Sequence, residues 1–474
     1  MSSDDLAFAP AWRIREMVAS KEVSPRELVG LFLKRIGDLD PKLHSYLTVS
    51  ADEARAAAVR AEEAVSRGDD LGPLHGVPVS IKDLEFSKGI RSTMGCYVFR
   101  DHIPDEDSVV VERVRAAGAI ILGKTNTPEF GQSGTTENRL GDPCRNPWNM
   151  ERTSGGSSGG AGASLVSGLC SLATGSDGGG SIRIPASFCG VYGIKPTQWR
   201  VPRYGSVGRG APPANMFSQS GPLSRTVRDS AIMLQVLSGH DPRDPMSLKA
   251  PVPDFVSGLD DGVKGLRVGW SSDFGYAAVD PEVLEITSKA ARRFEEMGCS
   301  VEEVEVGLEN PFRAFWTIFT SSAYSSYGYL LNEHAGELTS YGRYSLEQGR
   351  HATSADYAQA LHTVLLVQRR FTELLERYDL LMSPTMPTVA FPIGKPPQKI
   401  DGKRVPPHLG YLLYTYPINM SGQPAANIPC GFSSDRMPVG LHVIGRAGAE
   451  ATVLRASAAY EKAYPWADQR PQVS

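Results

Sequence analysis

The sequence has few cysteines, no long apolar run and no excess of charge of one sign. Its six cysteines are scattered along 474 residues without a Cys-x-x-Cys pair, so neither a disulfide framework nor a zinc site is expected. With 49 basic and 53 acidic side chains the formal net charge is −4, and no basic stripe stands out, which disfavours a nucleic-acid partner. No apolar stretch approaches the ~20 residues that span a bilayer, so no membrane partner is expected either.

The N-terminal sequence MSSDDLAFAP is acidic and lacks the basic and then apolar pattern of a secretory signal. Together with the isolated cysteines, this predicts a soluble protein of the reducing cytoplasm. The chain is also long enough to bury a large core. Composition therefore excludes several classes of protein but assigns no function.

Short apolar runs alternate with helical segments, which is typical of α/β architecture. The runs at 77–81 and 119–122 indicate strands, and 109–118 lies between them as a helix. No internal repeat or low-complexity linker divides the chain, so we expect one large α/β domain with a helical periphery. Residues 1–70 are expected to form an N-terminal helical segment that packs on a core of residues 71–474.

Local signals place several elements along the chain. Ser24 is predicted to begin a helix as the N-cap of a capping box, and Pro41 is expected to end it. An alanine-rich helix at 51–67 is expected to end at Gly68. Further predictions are strands at 265–270, at 301–306, at 380–387 and at 438–445, helices at 281–297 and 450–463, and a surface loop at 395–410.

Residues 118–125, GAIILGKT, match the phosphate-loop pattern G-x4-G-K-T letter for letter. A phosphate loop needs a flexible turn that presents its amides between a strand and a helix, whereas AIIL is an apolar, β-prone run. Asn126, Thr127 and Pro128 follow where a helix should begin. We therefore interpret the match as a strand, and Lys124 as a structural or surface lysine.

Residues 155–159, GGSSG, match the G-x-S-x-G elbow of α/β-hydrolases. That elbow needs a strand before it, a helix after it, and later an acid and a histidine. The preceding residues 145–155 look loop-like. The downstream histidines have no telling sequence neighbourhood, so each is interpreted as a surface or satisfied side chain rather than a triad member: His240, His334, His351, His362, His408 and His442.

Glycine is concentrated in two stretches that also carry serines, 153–160 and 174–185. Glycine at this density is used where backbone N–H groups approach a ligand closely. Serines in such loops are candidate nucleophiles, with the loop amides facing developing negative charge. Lys82 follows the apolar run 77–81. It is either a buried neutral base for these serines or a structural lysine that pairs with Asp83 or a carbonyl.

The blocks around these residues resemble the amidase signature family. The similarity rests on GVPVSIKD at 76–83, GGSSGG at 155–160 and GSDGGGSIRIPASFCGVYGIKPT at 175–197, and it extends from about residue 5 to 465. Other similar blocks are LGKTNTPEF, NPWN, GPLSRTVRD, LLMSPTMP and YPINMSGQPAANIPCG. The fold that this resemblance implies is a single large α/β domain with a central mixed twisted β-sheet covered by helices on both faces.

The resemblance implies a catalytic triad of two serines and a lysine. Ser181 is the implied nucleophile and Lys82 the ultimate base. Ser157, which follows a cis peptide bond from Gly156, passes the proton between them. The implied activity is hydrolysis of carboxylic amides through an acyl-enzyme, by a monomer or homodimer, without a metal or a cofactor.

The resemblance also implies an oxyanion hole and a pair of residues that brace it. Asp177 and Arg183 are the implied bracing pair. The family often has threonine or isoleucine at the position of Gly178, and this departure removes no catalytic group. The oxyanion donors would be the backbone N–H groups of Gly178, Gly179, Gly180 and Ser181, each worth ~3 kcal/mol of barrier.

The substrate is less defined than the chemistry. In the family, a variable region, here about 300–415, lies near the substrate pocket. The stretch 311–330 is unusually aromatic, and its aromatic face either packs into the core or lines that pocket, where it would favour small apolar or aryl amides. Gln132 and Ser133 are candidate polar contacts at the same pocket. The aromatic face consists of Phe312, Phe315, Trp316 and Phe319.

Several functions remain compatible with this resemblance. The similar bacterial group includes aryl acylamidases, nylon-oligomer hydrolases and carbamate-cleaving enzymes. A glutaminase subunit of a tRNA-dependent amidotransferase is an alternative, although its glutamine-binding segment is not found between Tyr341 and Arg370. A non-catalytic binding protein on the same fold is disfavoured because Lys82, Ser157 and Ser181 are all present.

Overall fold

The computed structural model describes residues 2–205, 215–406 and 408–473. Its helices are α1 Ser3–Phe8, α2 Ala11–Ala19, α3 Pro25–Leu43, α4 Ala51–Arg67, α5 Val109–Ala116, α6 Gly159–Val166, α7 Arg183–Cys189, α8 Val227–Leu237, α9 Pro281–Glu296, α10 Phe312–Tyr327, α11 Leu330–Glu333, α12 Ser340–His351, α13 Ser354–Arg377, α14 Tyr416–Ser421 and α15 Glu450–Ala463. Short 3-10 turns lie at Tyr97–Phe99, Glu129–Gly131 and Ser257–Asp260.

The strands are β1 Tyr46–Val49, β2 Pro78–Lys82, β3 Ile120–Thr125, β4 Arg145–Asn146, β5 Asn149–Thr153, β6 Leu172–Asp177, β7 Tyr192–Lys195, β8 Gln219–Ser224, β9 Arg267–Trp270, β10 Ser300–Glu303, β11 Leu380–Pro384, β12 Lys399–Ile400, β13 Lys403–Arg404, β14 Ala425–Phe432 and β15 Pro438–Gly445. Eleven of them form one sheet in the order β1-β3-β2-β6-β8-β7-β14-β15-β11-β9-β10. Strand β2 is parallel to both of its neighbours, β3 and β6. From β6 through β8, β7 and β14 to β15, each pair of neighbouring strands is antiparallel. The sheet is therefore mixed, and the predicted α/β class is confirmed.

Helices flank this sheet and bury its apolar side chains. The larger hydrophobic cluster joins strand residues such as Val79, Ile121 and Val443 to helix residues such as Phe32 and Phe294. A second cluster gathers the aromatic side chains of α10, α13 and α14. Among the described residues, no helix is long and apolar enough to cross a membrane.

The segment 1–70 is not purely helical, which corrects the sequence-based expectation. It also supplies strand β1, which pairs antiparallel with β3 at one edge of the main sheet. The short run Tyr46–Val49 lacks a strong sequence signal, and its β-structure depends on pairing with a strand remote in sequence. The division of the chain near residue 70 stays a prediction.

Most local signals are confirmed. The capping box at Ser24 begins α3, and Gly68 ends α4 in the left-handed conformation. However, α3 continues through Pro41 to Leu43, so the expected stop at Pro41 is wrong. Proline removes one N–H donor without ending the helix here, because the last turn is closed by the His44 N–H, which donates to the carbonyl of Asp40 at 2.8 Å.

The phosphate-loop match is a strand, as interpreted from its apolar centre. Residues Ile120–Thr125 form β3, and a side chain at Gly123 would meet the Thr48 carbonyl of β1 at 2.2 Å. Lys124 is fully buried, so it is a structural rather than a surface lysine. Its Nζ donates to Ser92 Oγ at 2.7 Å and to a backbone carbonyl.

Two segments expected as loops contain short strand pairs. Before the elbow-like sequence, β4 and β5 pair with each other outside the main sheet. Their turn is fixed by Asn146, whose Oδ1 accepts from the Trp148 N–H at 3.0 Å and whose Nδ2 donates to the Thr153 carbonyl at 3.1 Å. Strands β12 and β13 likewise pair within 395–410. Both pairs are too short to give a period-2 pattern in the sequence.

The N-terminal helices are clamped to the body by one carboxylate. Asp229 of α8 is buried and accepts hydrogen bonds from the N–H groups of Ala11 and Trp12, at 3.0 and 2.9 Å. We expect Asp229→Ala to lower the free energy of unfolding by about 3 kcal/mol, because two buried donors lose a charged acceptor. Urea denaturation measures this loss of stability. Asp38→Ala is the control, because Asp38 is exposed and forms its ion pair with the exposed Lys34. Equal effects of the two changes would contradict the clamp.

Candidate active site

Lys82 is the last residue of β2, where it pairs with Thr125 of the parallel strand β3. Its N–H donates to Thr174 Oγ1 of β6 at 3.0 Å, and its side chain is fully buried. The amine therefore lies at the carboxyl end of β2, next to the glycine-rich loops.

The Lys82 amine is surrounded by hydroxyl and carbonyl oxygens. Its Nζ lies 2.7 Å from Ser157 Oγ, 2.9 Å from Ser158 Oγ, and 3.0 and 3.2 Å from the Oγ and carbonyl of Ser176. Burial lowers the pKa of Lys82 to about 7, against the opposing charges of Asp177 and Glu85. The amine is therefore neutral in a large fraction of molecules near neutral pH and can act as a base.

The structural alternative for Lys82 is pairing with Asp83 or with a backbone carbonyl; the amine does lie 3.2 Å from the Ser176 carbonyl, but it forms no ion pair with Asp83. Asp83 Oδ1 lies 3.5 Å from the Nζ of Lys124 instead. Its other oxygen accepts from the N–H of Thr93 at 2.9 Å. Lys124 thus takes the structural role that the sequence left open for Lys82.

Ser157 lies in the connection between β5 and α6, and the peptide bond from Gly156 is cis, as the resemblance implied. The side chain is almost fully buried. Close backbone approach explains the neighbouring glycine, because a Cβ on Gly156 would lie 2.5 Å from the Thr135 carbonyl oxygen. The serine hydroxyl is consequently held against Lys82.

Ser181 lies on the loop between β6 and α7, beside the same serines. The N–H of Ser158 donates to the Ser181 carbonyl at 3.1 Å, which fixes the two loops together. Ser181 keeps 9% of its surface exposed, the largest exposed fraction of the three triad candidates. Its Oγ makes no hydrogen bond with any described residue, so it is available to a substrate.

Asp177 and Arg183 form a fully buried ion pair at the base of this loop. Arg183 Nε donates to Asp177 Oδ2 and Arg183 Nη2 to Oδ1, both at 2.9 Å. Burial opposes ionisation of Asp177, but the charge and hydrogen bonds of Arg183 outweigh it and hold the pKa of the carboxyl below its usual range. Both side chains hold the loop, and neither contacts the triad serines.

The oxyanion prediction needs one correction. The N–H of Gly180 donates to Asp177 Oδ1 at 2.7 Å, so the bracing carboxylate already uses it. In contrast, the N–H groups of Gly178, Gly179 and Ser181 donate to no acceptor within the described residues. The sequence could show that this loop is rich in amides but not which amide faces the carboxylate.

Three residues around Arg183 were missed by sequence reasoning. Its Nη2 donates to Asn419 Oδ1 at 2.7 Å and to the Thr415 carbonyl at 3.1 Å. Its Nη1 lies 2.9 Å from His442 Nε2, and burial, with the charge of Arg183, lowers the pKa of His442 well below its usual range. This histidine contacts Arg183 through Nε2 and lies 3.4 Å from Ser383 Oγ through Nδ1, so it contacts neither Ser157 nor Ser181, which confirms its interpretation as a satisfied side chain. The only sequence signal for Thr415 and Asn419 was the similar block around YPINMSG.

The aromatic face of α10 packs on the oxyanion loop. Phe315 is fully buried and stacks on Phe217 and Tyr416, with ring centroids 5.9 and 5.0 Å away. A Cβ on Gly179 would lie 2.8 Å from its ring, and one on Gly178 would lie 3.7 Å from the ring of Phe319. Phe315 and Phe319 are therefore core residues that also support the loop.

The other residues predicted to contact substrate, Trp316, Gln132 and Ser133, have different neighbours in the structure. Trp316 is half-buried and stacks on His408, with centroids 6.3 Å apart. Gln132 lines a cavity together with Ser176, and its Oε1 accepts from Ser345 Oγ at 2.8 Å. Ser133 Oγ instead lies 3.0 Å from Thr135 Oγ1. Among the described residues, no cluster of histidine, cysteine or carboxylate side chains could hold a metal ion.

Comparison with known proteins confirms the resemblance. The family model named Amidase matches residues 27–454. A solved structure of a bacterial aryl acylamidase superposes with a TM-score of 0.91 at 33% identity, covering 97% of each chain. This fold, with a buried lysine next to serine hydroxyls, defines an amide-hydrolysing enzyme. The chain belongs to the amidase family.

Curated relatives of two kinds are similar to this chain. One of them is a component of the glutamyl-tRNA(Gln) amidotransferase of Moorella thermoacetica; it is 39% identical over 497 aligned positions, covering 99% of each chain. The acylamidase of Rhodococcus erythropolis is 37% identical, covering 99% of this chain and 98% of its own. Overall similarity therefore fixes the family and leaves the particular substrate open.

The buried ion pair generates a stability prediction. Asp177→Asn removes the charge that compensates Arg183, and we expect it to lower the free energy of unfolding by about 4 kcal/mol. Asp260→Asn is the control, because its pair with Arg228 is exposed and its loss is expected to cost less than ~1 kcal/mol. Chemical denaturation followed by circular dichroism compares the two. A loss at Asp177 no larger than that at Asp260 would show that the brace contributes little.

Proposed function

We propose that the protein hydrolyses carboxylic amide bonds through Ser181, Ser157 and Lys82 and forms an acyl-enzyme intermediate. The observation that carries this proposal is the buried Lys82 amine, with its pKa near 7, 2.7 Å from Ser157 Oγ. A lysine in this state accepts a proton from a hydroxyl, which an ion-paired surface lysine does not do.

In the proposed mechanism the neutral Lys82 amine takes the proton of Ser157 as Ser157 takes the proton of Ser181. The Ser181 oxygen attacks the amide carbon, and the carbonyl oxygen becomes an oxyanion. The proton returns along the same path to the amide nitrogen, the C–N bond breaks, and the amine leaves. Water then attacks the acyl ester with help from the same relay, which releases the acid and restores Ser181.

The free N–H groups of Gly178, Gly179 and Ser181 are the proposed oxyanion donors. Each donor of this kind is worth ~3 kcal/mol of barrier when it is aimed at the developing charge. Gly180 contributes indirectly, since its hydrogen bond to Asp177 fixes the orientation of the amides on either side of it. The loop is thereby preorganised before substrate arrives.

We further propose small apolar or aryl amides as substrates, with carbamates and oligoamides as related possibilities. The apolar side chains Leu84, Phe130 and Tyr327 line the cavity next to Ser176 and support this class. Phe130 and Tyr327 stack on each other with ring centroids 3.9 Å apart, so this part of the lining is aromatic and suits an aliphatic chain or an aryl ring. The acylamidase similarity agrees with this assignment.

The second candidate function is that of a glutaminase subunit within a tRNA-dependent amidotransferase. It is favoured by the 39% identity to the amidotransferase component of Moorella thermoacetica. The absence of the glutamine-binding segment between Tyr341 and Arg370 weighs against it. Hydrolysis of free glutamine by the isolated chain, without turnover of anilides, would favour this second function; anilide hydrolysis by a monomer or homodimer would favour the first.

The proton relay predicts which substitutions abolish turnover. We expect three single substitutions to lower kcat/KM for an acyl anilide by ~1000-fold or more: Lys82→Met, Ser157→Ala and Ser181→Ala. Each of them removes one group of the proposed proton relay. Lys195→Met is the matched control, since Lys195 is equally buried and burial also lowers its pKa to about 7, but its Nζ donates to the Pro196 carbonyl. Full activity of Lys82→Met, or failure of a fluorophosphonate probe to label Ser181 in folded protein, would refute the mechanism.

The lowered pKa of Lys82 predicts a pH profile. Only the neutral amine accepts a proton, so log kcat/KM is expected to rise with pH and to level off above about 7. Stopped assays across this range measure the inflection. The Lys195→Met variant is expected to keep the inflection, and a rate that falls as pH rises through 7 would contradict the assignment of Lys82 as base.

A further inference from the structure

The cavity next to the triad has polar walls that the proposed mechanism does not use. Besides the apolar side chains of Leu84, Phe130 and Tyr327, the cavity lining has a polar wall that consists of Glu85, Ser176, Arg203, Asn215, Ser218 and Ser220. A pocket for a purely apolar group would not need a carboxyl group and a guanidinium in its wall. These residues therefore indicate a polar group on the substrate.

The cavity lies beside the reacting groups, and two of its lining residues contact them or the glycine-rich loop. Ser176 lines it, and the Oγ of Ser176 lies 3.0 Å from Lys82 Nζ. Asn215 also lines it, and a Cβ on Gly178 would lie 3.1 Å from Asn215 Nδ2. An occupant of the cavity consequently lies next to residues that contact the base and the oxyanion loop.

Glu85 occupies this wall with one oxygen unused. It lies in the turn that follows β2, where its N–H donates to the Lys82 carbonyl at 3.0 Å. Its Oε1 accepts from Ser220 Oγ at 2.6 Å, whereas its Oε2 has no hydrogen-bond partner although the residue is 1% exposed. A buried acceptor without a donor is unfavourable, and a donor on a bound molecule relieves this.

The charges around Glu85 define what that molecule can carry. Arg203, in the same wall, donates through Nη1 to the Asn215 carbonyl and through its backbone N–H to Asp244 Oδ2 at 3.0 Å. Lys82 is surrounded by the serine hydroxyls. Among the described residues of this wall, Glu85 Oε2 is thus a buried acceptor without a donor. It complements an N–H group, alone or next to a carbonyl, whereas a carboxylate at the same place would be repelled by Glu85.

We propose that Glu85 is a specificity-determining residue that accepts a hydrogen bond from an N–H group of the substrate. The preferred amides then carry a second N–H-bearing group, an amine or a further carboxamide, at the end of the part that enters the cavity. The apolar wall holds the chain that joins this group to the scissile bond. This inference rests on the proposed amide hydrolysis and narrows its substrate class.

The test uses matched amides that differ only at one end. One series consists of p-nitroanilides of linear acyl chains of equal length that end in ammonium, carboxamide, methyl or carboxylate. A mirror series carries the same ends on the amine part of benzoyl amides. In one series, kcat/KM for the ammonium or carboxamide end is expected to exceed that for the methyl end by about tenfold, as one hydrogen bond to a charged group allows.

The substitution Glu85→Gln is expected to bring this ratio close to one, because the N–H-bearing ends lose more kcat/KM than the methyl end does. Glu450→Gln is the matched control. Glu450 is also fully buried, its Oε2 also lacks a partner, and its Oε1 accepts from the Thr197 N–H at 3.0 Å outside the cavity. Its substitution is expected to lower stability and to keep the ratio. Equal effects of Glu85→Gln on all ends would overturn the proposal.

Binding of the same amides to Ser181→Ala by calorimetry separates this inference from the proposed function. Tighter binding of the N–H-bearing ends, without turnover by the wild-type enzyme, would support the Glu85 contact and refute the hydrolysis. Turnover with no preference in either series, or with a preference for the methyl or carboxylate end, would refute the Glu85 contact alone. Both measurements remain decisive if Glu85→Gln fails to fold.

Discussion

The burial of Lys82 without a carboxylate partner is the constraint on which the site depends. A buried ammonium is unfavourable unless a charge compensates it, and among the described residues only hydroxyl and carbonyl oxygens contact the amine. The nearest carboxylates, Asp177 and Glu85, act through their charge from outside hydrogen-bond range. The result is a lysine whose neutral form is populated near pH 7 and whose Nζ lies 2.7 Å from Ser157 Oγ.

This state of Lys82 requires the neighbouring carboxylates to be occupied elsewhere. Asp83, which follows it directly, faces Lys124. Asp177 is held by Arg183 and Asn419 through several side-chain contacts, so it cannot move to the amine. The same contacts orient the oxyanion loop through Gly180. One buried ion pair therefore keeps Asp177 away from the Lys82 amine and fixes the orientation of the glycine-rich loop.

The sequence predicted those parts of the fold whose signals are local. The capping box begins α3 at the expected residue, and the alanine-rich α4 and strand β15 have the expected bounds. The glycine- and serine-rich stretches pointed to Ser157 and Ser181 as candidates, and the family resemblance implied their roles and that of Lys82. Parts that depend on long-range contacts were missed or misplaced, including the extension of α3 past Pro41, the pairing of β4 with β5, and the contacts of Asn419 and His442. The role of Gly180 belongs to the same class, since no local signal tells which amide a distant carboxylate will take.

A lowered pKa does not by itself identify the base. Lys195 is buried like Lys82, and burial brings its pKa to a similar value, yet its Nζ meets only a backbone carbonyl. Desolvation makes either amine a possible base, but only Lys82 has a hydroxyl proton within reach. The difference arises from position, because Lys82 ends its strand where the serine loops converge, while Lys195 ends β7, with Pro196 next in the chain. Geometry therefore favours Lys82 as the proposed base over Lys195, although burial lowers both pKa values to about 7.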